Sequence, residues 1–250
     1  MKALWLCAAL VAATFTQPAA HAANVSDPVV IASYTGKAGG ARIGLSLVVR
    51  GDEVLPGSHY FRSSDLVDLP LLGTLGAKPQ LKDAQGGVFK LGFSGPSRDG
   101  HAPTSLDDST GLTGTLTDDS GKHMMVTLSL TSIRQASKSP ERWYEDITHK
   151  SDTAFEQHVQ GFYKAVLADD PQEAARHVAF PMRVNAGRTG MTITSPAQLK
   201  AKWAKIFTKA WLESAQEAMP HDLSVLQGRA MLGDGLAYFS DAGAVVVNVR

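Results

Sequence analysis

The chain has 250 residues, 24 basic side chains balanced by 24 acidic ones, and 44% hydrophobic residues. A formal charge of zero, with no block of like charge, excludes an electrostatic grip on nucleic acid or on an anionic lipid surface. A single cysteine, Cys7, excludes an internal disulfide framework and a cysteine-based metal cluster.

The N-terminus has the three parts of an export signal: a basic start at Lys2, an apolar run from Ala3 to Thr16, and Ala20-His21-Ala22 as a small-residue cleavage site. The apolar run is shorter than the ~20 residues that span a bilayer, so a removable signal peptide over residues 1–22 is expected rather than an anchor. Cys7 precedes most of the apolar core, whereas a lipidated cysteine would follow it. The leader would take Cys7 with it, leaving a thiol-free periplasmic or secreted protein of about 228 residues, enough for one large domain or two small ones.

Residues 23–135 read as a β-rich domain. Ile43, Leu45, Leu47 and Val49 alternate with other residues, as do Met124, Val126, Leu128 and Leu130. Phe89, Leu91 and Phe93 make a third such face, and Leu112, Gly114 and Leu116 alternate with threonines. A period of two marks half-buried strands. Arg50-Gly51-Asp52, Gln85-Gly86-Gly87, Pro96 to Gly100 and Asp118 to Gly121 supply the turns between them. Short strands at close spacing predict an antiparallel barrel or sandwich. A polar stretch over 136–152 is the expected linker.

From 153 to 250 the period changes. Phe155, Val159, Phe162, Tyr163 and Val166 lie on one face of a helix capped by Ser151 or Asp152. Asp170-Pro171 opens a second, short helix reaching about Val178. Met182–Asn185 and Met191–Thr194 flank a glycine-containing turn. Ser195-Pro196 then starts a helix whose stripe of Leu199, Trp203, Ile206, Phe207, Ala210 and Trp211 predicts one long helix of about 24 residues, roughly 36 Å. Three strands are expected to close the chain: Leu223–Leu226 running into Arg229–Leu232, then Leu236–Ser240, then Ala244–Val249. The expected fold class is therefore α+β in two domains.

Two helices, the Phe180-Pro181 pair, a short hairpin, a long helix and closing strands resemble the cone-shaped α+β fold named after nuclear transport factor 2. The segment Gly228-x-x-Met231-x-Gly233-x-Gly235 and a late Asn248 are similar to its bacterial members. The resemblance implies a curved antiparallel sheet closed by the long helix. That fold serves isomerases, hydrolases, dehydratases and proteins without a known reaction, so it does not by itself select an activity. No catalytic residue is carried over. Tyr34-x-Gly36 and Gly57-x-x-Tyr60-Phe61 are similar in style to β-rich modules of exported bacterial proteins, and imply no activity.

No metalloprotease, serine-elbow, phosphate-loop or dinucleotide motif is present. The histidines beyond the leader, His59, His101, His123, His149, His158, His177 and His221, have no chelating spacing, so neither a metal nor a cofactor is expected. Asp107-Asp108, Asp118-Asp119 and Asp169-Asp170 read as turn and cap residues. The candidate lining of a cone is Tyr163, His177, Trp203, Phe207 and Tyr238, with His177 as the candidate base near neutral pH. The leading expectation is a non-catalytic exported protein binding a small apolar ligand or a protein partner. It involves no nucleic acid and no membrane anchor once the signal is removed, and the oligomeric state is not fixed by the sequence. A buried acid–base pair inside the cone would count against it and favour an enzyme using proton transfer. An inhibitor of an extracellular hydrolase, acting through the β domain, is the third expectation.

Overall fold

The computed structural model describes residues 27–96, 100–136 and 142–250. The expected leader lies outside the described residues, as do positions 137–141 of the expected linker. No helix of the described residues is long and apolar enough to cross a membrane.

The first domain is an antiparallel barrel. Its strands are β1 (Val29–Ala38), β2 (Ala41–Arg50), the short β3 (Glu53–Val54), β4 (His59–Arg62), β5 (Leu69–Thr74), β6 (Gln80–Asp83), β7 (Val88–Ser94), β8 (Gly111–Thr117) and β9 (His123–Gln135). Each main strand pairs with the next in sequence, and β1 pairs with both β2 and β9, so the sheet closes on itself as eight strands with β3 wedged between β2 and β5. Closure removes the exposed edges that an open sheet would leave. The alternating residues fill the interior: Ile43, Leu45, Leu47 and Val49 meet Phe89, Leu91, Leu112, Leu116, Val126 and Leu128.

The second domain begins with α1 (Asp152–Leu167) and α2 (Pro171–Ala175), capped by Ser151 and Asp170. Next come β10 (Val178–Ala186), β11 (Thr189–Ile193), α3 (Pro196–Ile206), α4 (Lys209–Glu217), β12 (Ser224–Leu226), β13 (Arg229–Leu232), β14 (Ala237–Ser240) and β15 (Gly243–Val249). The six strands form one mixed sheet in the order β11-β10-β15-β14-β13-β12, parallel only between β10 and β15. One face carries Met182, Val184, Phe239 and Val247 into a core shared with Phe155, Val159 and Phe162 of α1.

Four expectations are corrected. The sheet is mixed rather than antiparallel, because β10 and β15 run side by side in the same direction, and α2 ends at Ala175, with Val178 already in β10. The single long helix is two helices: the chain leaves helical geometry at Phe207, and Thr208 restarts it by accepting a hydrogen bond from the Trp211 amide at 3.2 Å. A hydroxyl that can cap thus outweighs a stripe that runs on in phase. The run Leu223–Leu232 is not one strand but the hairpin of β12 and β13. Gln227 and Gly228 adopt φ of 50° and 70°, and two successive positive φ values make the tight turn whose twist suits a hairpin.

The barrel is not separate from this second core. Ile31 of β1 and Val48 of β2 point out of the barrel and are buried in the second domain's cluster. Strand β2 is thus covered on both faces, as its apolar run Leu47-Val48-Val49 requires. Trp143 and Tyr144, from the segment expected to link the halves, are buried in the same cluster.

Candidate functional site

The polar groups that converge most tightly lie at the seam between the two domains. Strands β2 and β4 pair with Ser46 opposite His59, so both side chains leave the barrel on the same face. They meet Asp222, in the loop between α4 and β12. His59 Nε2 donates to Asp222 Oδ2 at 2.7 Å, and Ser46 Oγ donates to the same oxygen. His59 Nδ1 donates to the Gly57 carbonyl at 2.8 Å, which fixes the ring with Nε2 facing the seam.

His221 is the second histidine. Its Nδ1 donates to Glu156 Oε2, and its Nε2 donates to Asp68 Oδ1 at 2.7 Å. Glu156 is buried on α1, and its other oxygen accepts from the Tyr144 hydroxyl at 2.7 Å and the Asp222 amide at 2.9 Å. Tyr144 in turn accepts from the Leu223 amide, and Trp143 Nε1 donates to the Leu223 carbonyl at 2.9 Å. The aromatic pair thereby fixes the loop that carries His221 and Asp222. Phe61 of β4 lies edge-on to the His221 ring, with centroids 4.3 Å apart. Phe61 reaches that place because β2 has Gly44 beneath it, where a Cβ would lie 2.1 Å from the ring.

Burial disfavours a charged imidazole, but at His59 the Asp222 carboxylate outweighs it and pushes the pKa up to about 9. At His221 burial is likewise outweighed, by the hydrogen bonds to Asp68 and Glu156, and the pKa rises to about 10. Burial would raise Asp222, yet the charge of His59 and its hydrogen bond hold its carboxyl below the usual range. At neutral pH both imidazoles are therefore protonated, packed against the side chains of Asp68, Glu156 and Asp222. A cleft of about 270 Å³, lined by Gly57, His59, Asp68, Trp143, Glu156 and His221 among others, opens onto the cluster.

The sequence-derived candidates fall elsewhere and do not converge. Trp203 and Phe207 touch, with ring centroids 4.3 Å apart, and Phe207 packs on Phe162 and Trp211. Phe162, Trp211 and Phe239 are fully buried, so these rings fill the space between helices and sheet. Trp203 Nε1 donates to Asp169 Oδ1 at 2.6 Å. Tyr163 is half-buried beside that core, and burial raises its pKa. His177 lies over Gly161 of α1, paired with Glu173 at 3.4 Å and facing His158. Tyr238 is on the opposite sheet face from Phe239, in an open cleft of about 430 Å³ with Asn185, Arg229 and Asn248. Asp108, Asp118 and Asp170 do cap local backbone.

A buried acid–base pair, His221 with Glu156, is present; it sits at the seam rather than among the rings of the second core. No local spacing announces the site, since its residues are scattered from Ser46 to Asp222. Two weak signals exist: a carboxylate beside the apolar stripe of α1, and the three-residue apolar run of β2. Comparison of the chain with protein-family models, curated proteins and solved structures finds no match.

Proposed function

We propose that this chain is a non-catalytic, exported binding protein whose barrel and second domain act as one body, joined at the charged seam. The observation that carries this reading is the use made of the seam's polar atoms. Both nitrogens of His59, both nitrogens of His221 and both oxygens of Glu156 are engaged by other groups of the chain. A general base needs a free lone pair within reach of a substrate proton, and protonated imidazoles at the seam offer none at neutral pH. The filled ring cluster between helices and sheet likewise supports binding at the surface rather than chemistry in a cavity. The open cleft on the sheet face of Tyr238, with Arg229 at its edge, is a place for a ligand that bonds to polar groups, in place of the apolar ligand the sequence suggests. We keep the cone-shaped architecture of nuclear transport factor 2 as a proposal for the second domain, on the order of its helices and strands, although its sheet is mixed and its long helix is broken.

A second reading, an enzyme at the seam, is favoured by the buried His221–Glu156 pair opening on a cleft. Assays with ester, thioester, phosphate and glycoside substrates, comparing the protein with His221→Gln, separate the two. The binding reading expects no turnover that depends on His221. Turnover abolished by that substitution overturns it.

A further inference from the structure

We infer that the seam is also a binding site for a divalent transition-metal ion, with His59, Asp68 and His221 as ligands. His59 Nε2 lies 2.7 Å from Asp222 Oδ2 and 3.3 Å from Asp68 Oδ1. His221 Nε2 lies 2.7 Å from Asp68 Oδ1 and 4.0 Å from Asp222 Oδ1. A tetrahedral zinc site with bonds of about 2.0–2.1 Å places its donors roughly 3.3 Å apart; the His59–Asp68 separation matches this, and the hydrogen-bonded His221–Asp68 contact opens by about half an ångström when its proton gives way to the ion. The donor atoms of His59, Asp68 and His221 all fall within 4.8 Å of one another.

The surroundings are those of a ligand set. Metal-bound histidines ordinarily present one nitrogen to the ion and donate the other to a carbonyl or carboxylate. Here Nδ1 of His59 is held by the Gly57 carbonyl and Nδ1 of His221 by Glu156, so both Nε2 atoms point to one place. Glu156 is itself fixed by Tyr144 and by the Asp222 amide, and Asp222 by Ser46. The ligands come from β4, the β4–β5 loop and the loop before β12, all anchored in the two cores. Asp68, with 49% of its side chain exposed, forms the rim through which an ion enters from the cleft. Imidazole nitrogens with carboxylate oxygens suit zinc and its first-row neighbours rather than calcium or magnesium.

The test strips the protein with a chelator, titrates it with zinc against a chromophoric competitor, and records X-ray absorption at the zinc edge. A single zinc per chain is expected, with a mixed imidazole and carboxylate shell. Asp68→Asn, at the exposed rim where the fold should tolerate it, is expected to weaken binding about 10-fold or more. Glu156→Gln, which alters the group behind His221 Nδ1 and keeps an acceptor for the Tyr144 hydroxyl and the Asp222 amide, should cost about 10–100-fold. His177→Gln removes a member of the surface pair with His158 and should change nothing. Failure to hold zinc at stoichiometry overturns the inference. So does binding that survives Asp68→Asn and disappears in His177→Gln, which would place the ion on the surface pair.

Discussion

His59 of the barrel and Asp222 of the second domain form an ion pair across the seam, Nε2 to Oδ2 at 2.7 Å, with side chains only 12% and 8% exposed. Taking one partner away leaves a largely buried charge without its counter-ion, at a cost of up to about 3–5 kcal/mol, the range for a buried pair. His59→Ala and Asp222→Ala should each destabilise the protein by that order. The double substitution should cost less than the sum, because the second change removes the stranded charge. A double-mutant cycle by denaturant unfolding measures this; additive losses would show that the two groups do not act together.

The same network fixes the pH dependence of the metal-free protein. His59 and His221 hold their protons up to about 9 and about 10, whereas an unfolded histidine releases its proton near about 6.5. Between those values the native state binds more protons than the unfolded state, so stability falls as pH rises. The contribution is complete below about pH 6.5 and is lost through the range from there to about 10. Asp222 acts in the opposite direction: its lowered pKa gives stability above about pH 4 that is lost on further acidification. Unfolding at a series of pH values in the presence of a chelator should therefore show falling stability on the alkaline side. His59→Gln should flatten that slope.

Gly44 is required by its neighbour. A methyl group there would lie 2.1 Å from the Phe61 ring, and Phe61 is the ring packed against His221. Gly44→Ala is expected to destabilise by about 1–3 kcal/mol, the usual range for overpacking. Combining it with Phe61→Leu should recover part of the loss. Thermal unfolding of the two variants checks both statements, and a neutral Gly44→Ala would contradict the packing.

Thr208 decides between one helix and two. In the interior of a continuous helix, Thr208→Ala would be neutral or stabilising on propensity alone. As the cap of α4 it should cost about 1 kcal/mol, because the Trp211 amide loses its acceptor. Equilibrium unfolding of this one variant distinguishes the two geometries by the sign of the change.

The strands of the barrel were legible because each buries one face, and period-two alternation is the direct trace of that burial. Closure was not, because it rests on β1 pairing with β9 across about a hundred residues, and no local pattern records such a contact. The first two helices were legible from their caps, Ser151 and Asp170. The stripe through Leu199, Trp203, Phe207 and Trp211 hid the break at Thr208, since packing keeps the two helices in phase. Glutamine in a left-handed conformation at Gln227 concealed the hairpin of β12 and β13. The seam was invisible for a related reason. His59, Asp68, Glu156, His221 and Asp222 are brought together by the docking of two cores, not by spacing along the chain. Ile31 and Val48, apolar on the outer face of the barrel, signalled that its wall is covered there.

The central claim, that the seam makes the two domains one body, is tested most directly by unfolding the protein with two local probes. Trp143, Trp203 and Trp211 all sit in the second core or against it, so tryptophan fluorescence reports that domain. Hydrogen exchange in β2 and β8 reports the barrel. We expect one coincident transition for the protein, and two separated transitions for His59→Ala combined with His221→Ala. Separate transitions in the unsubstituted protein, or a coincident and unshifted transition in the double variant, would contradict the account.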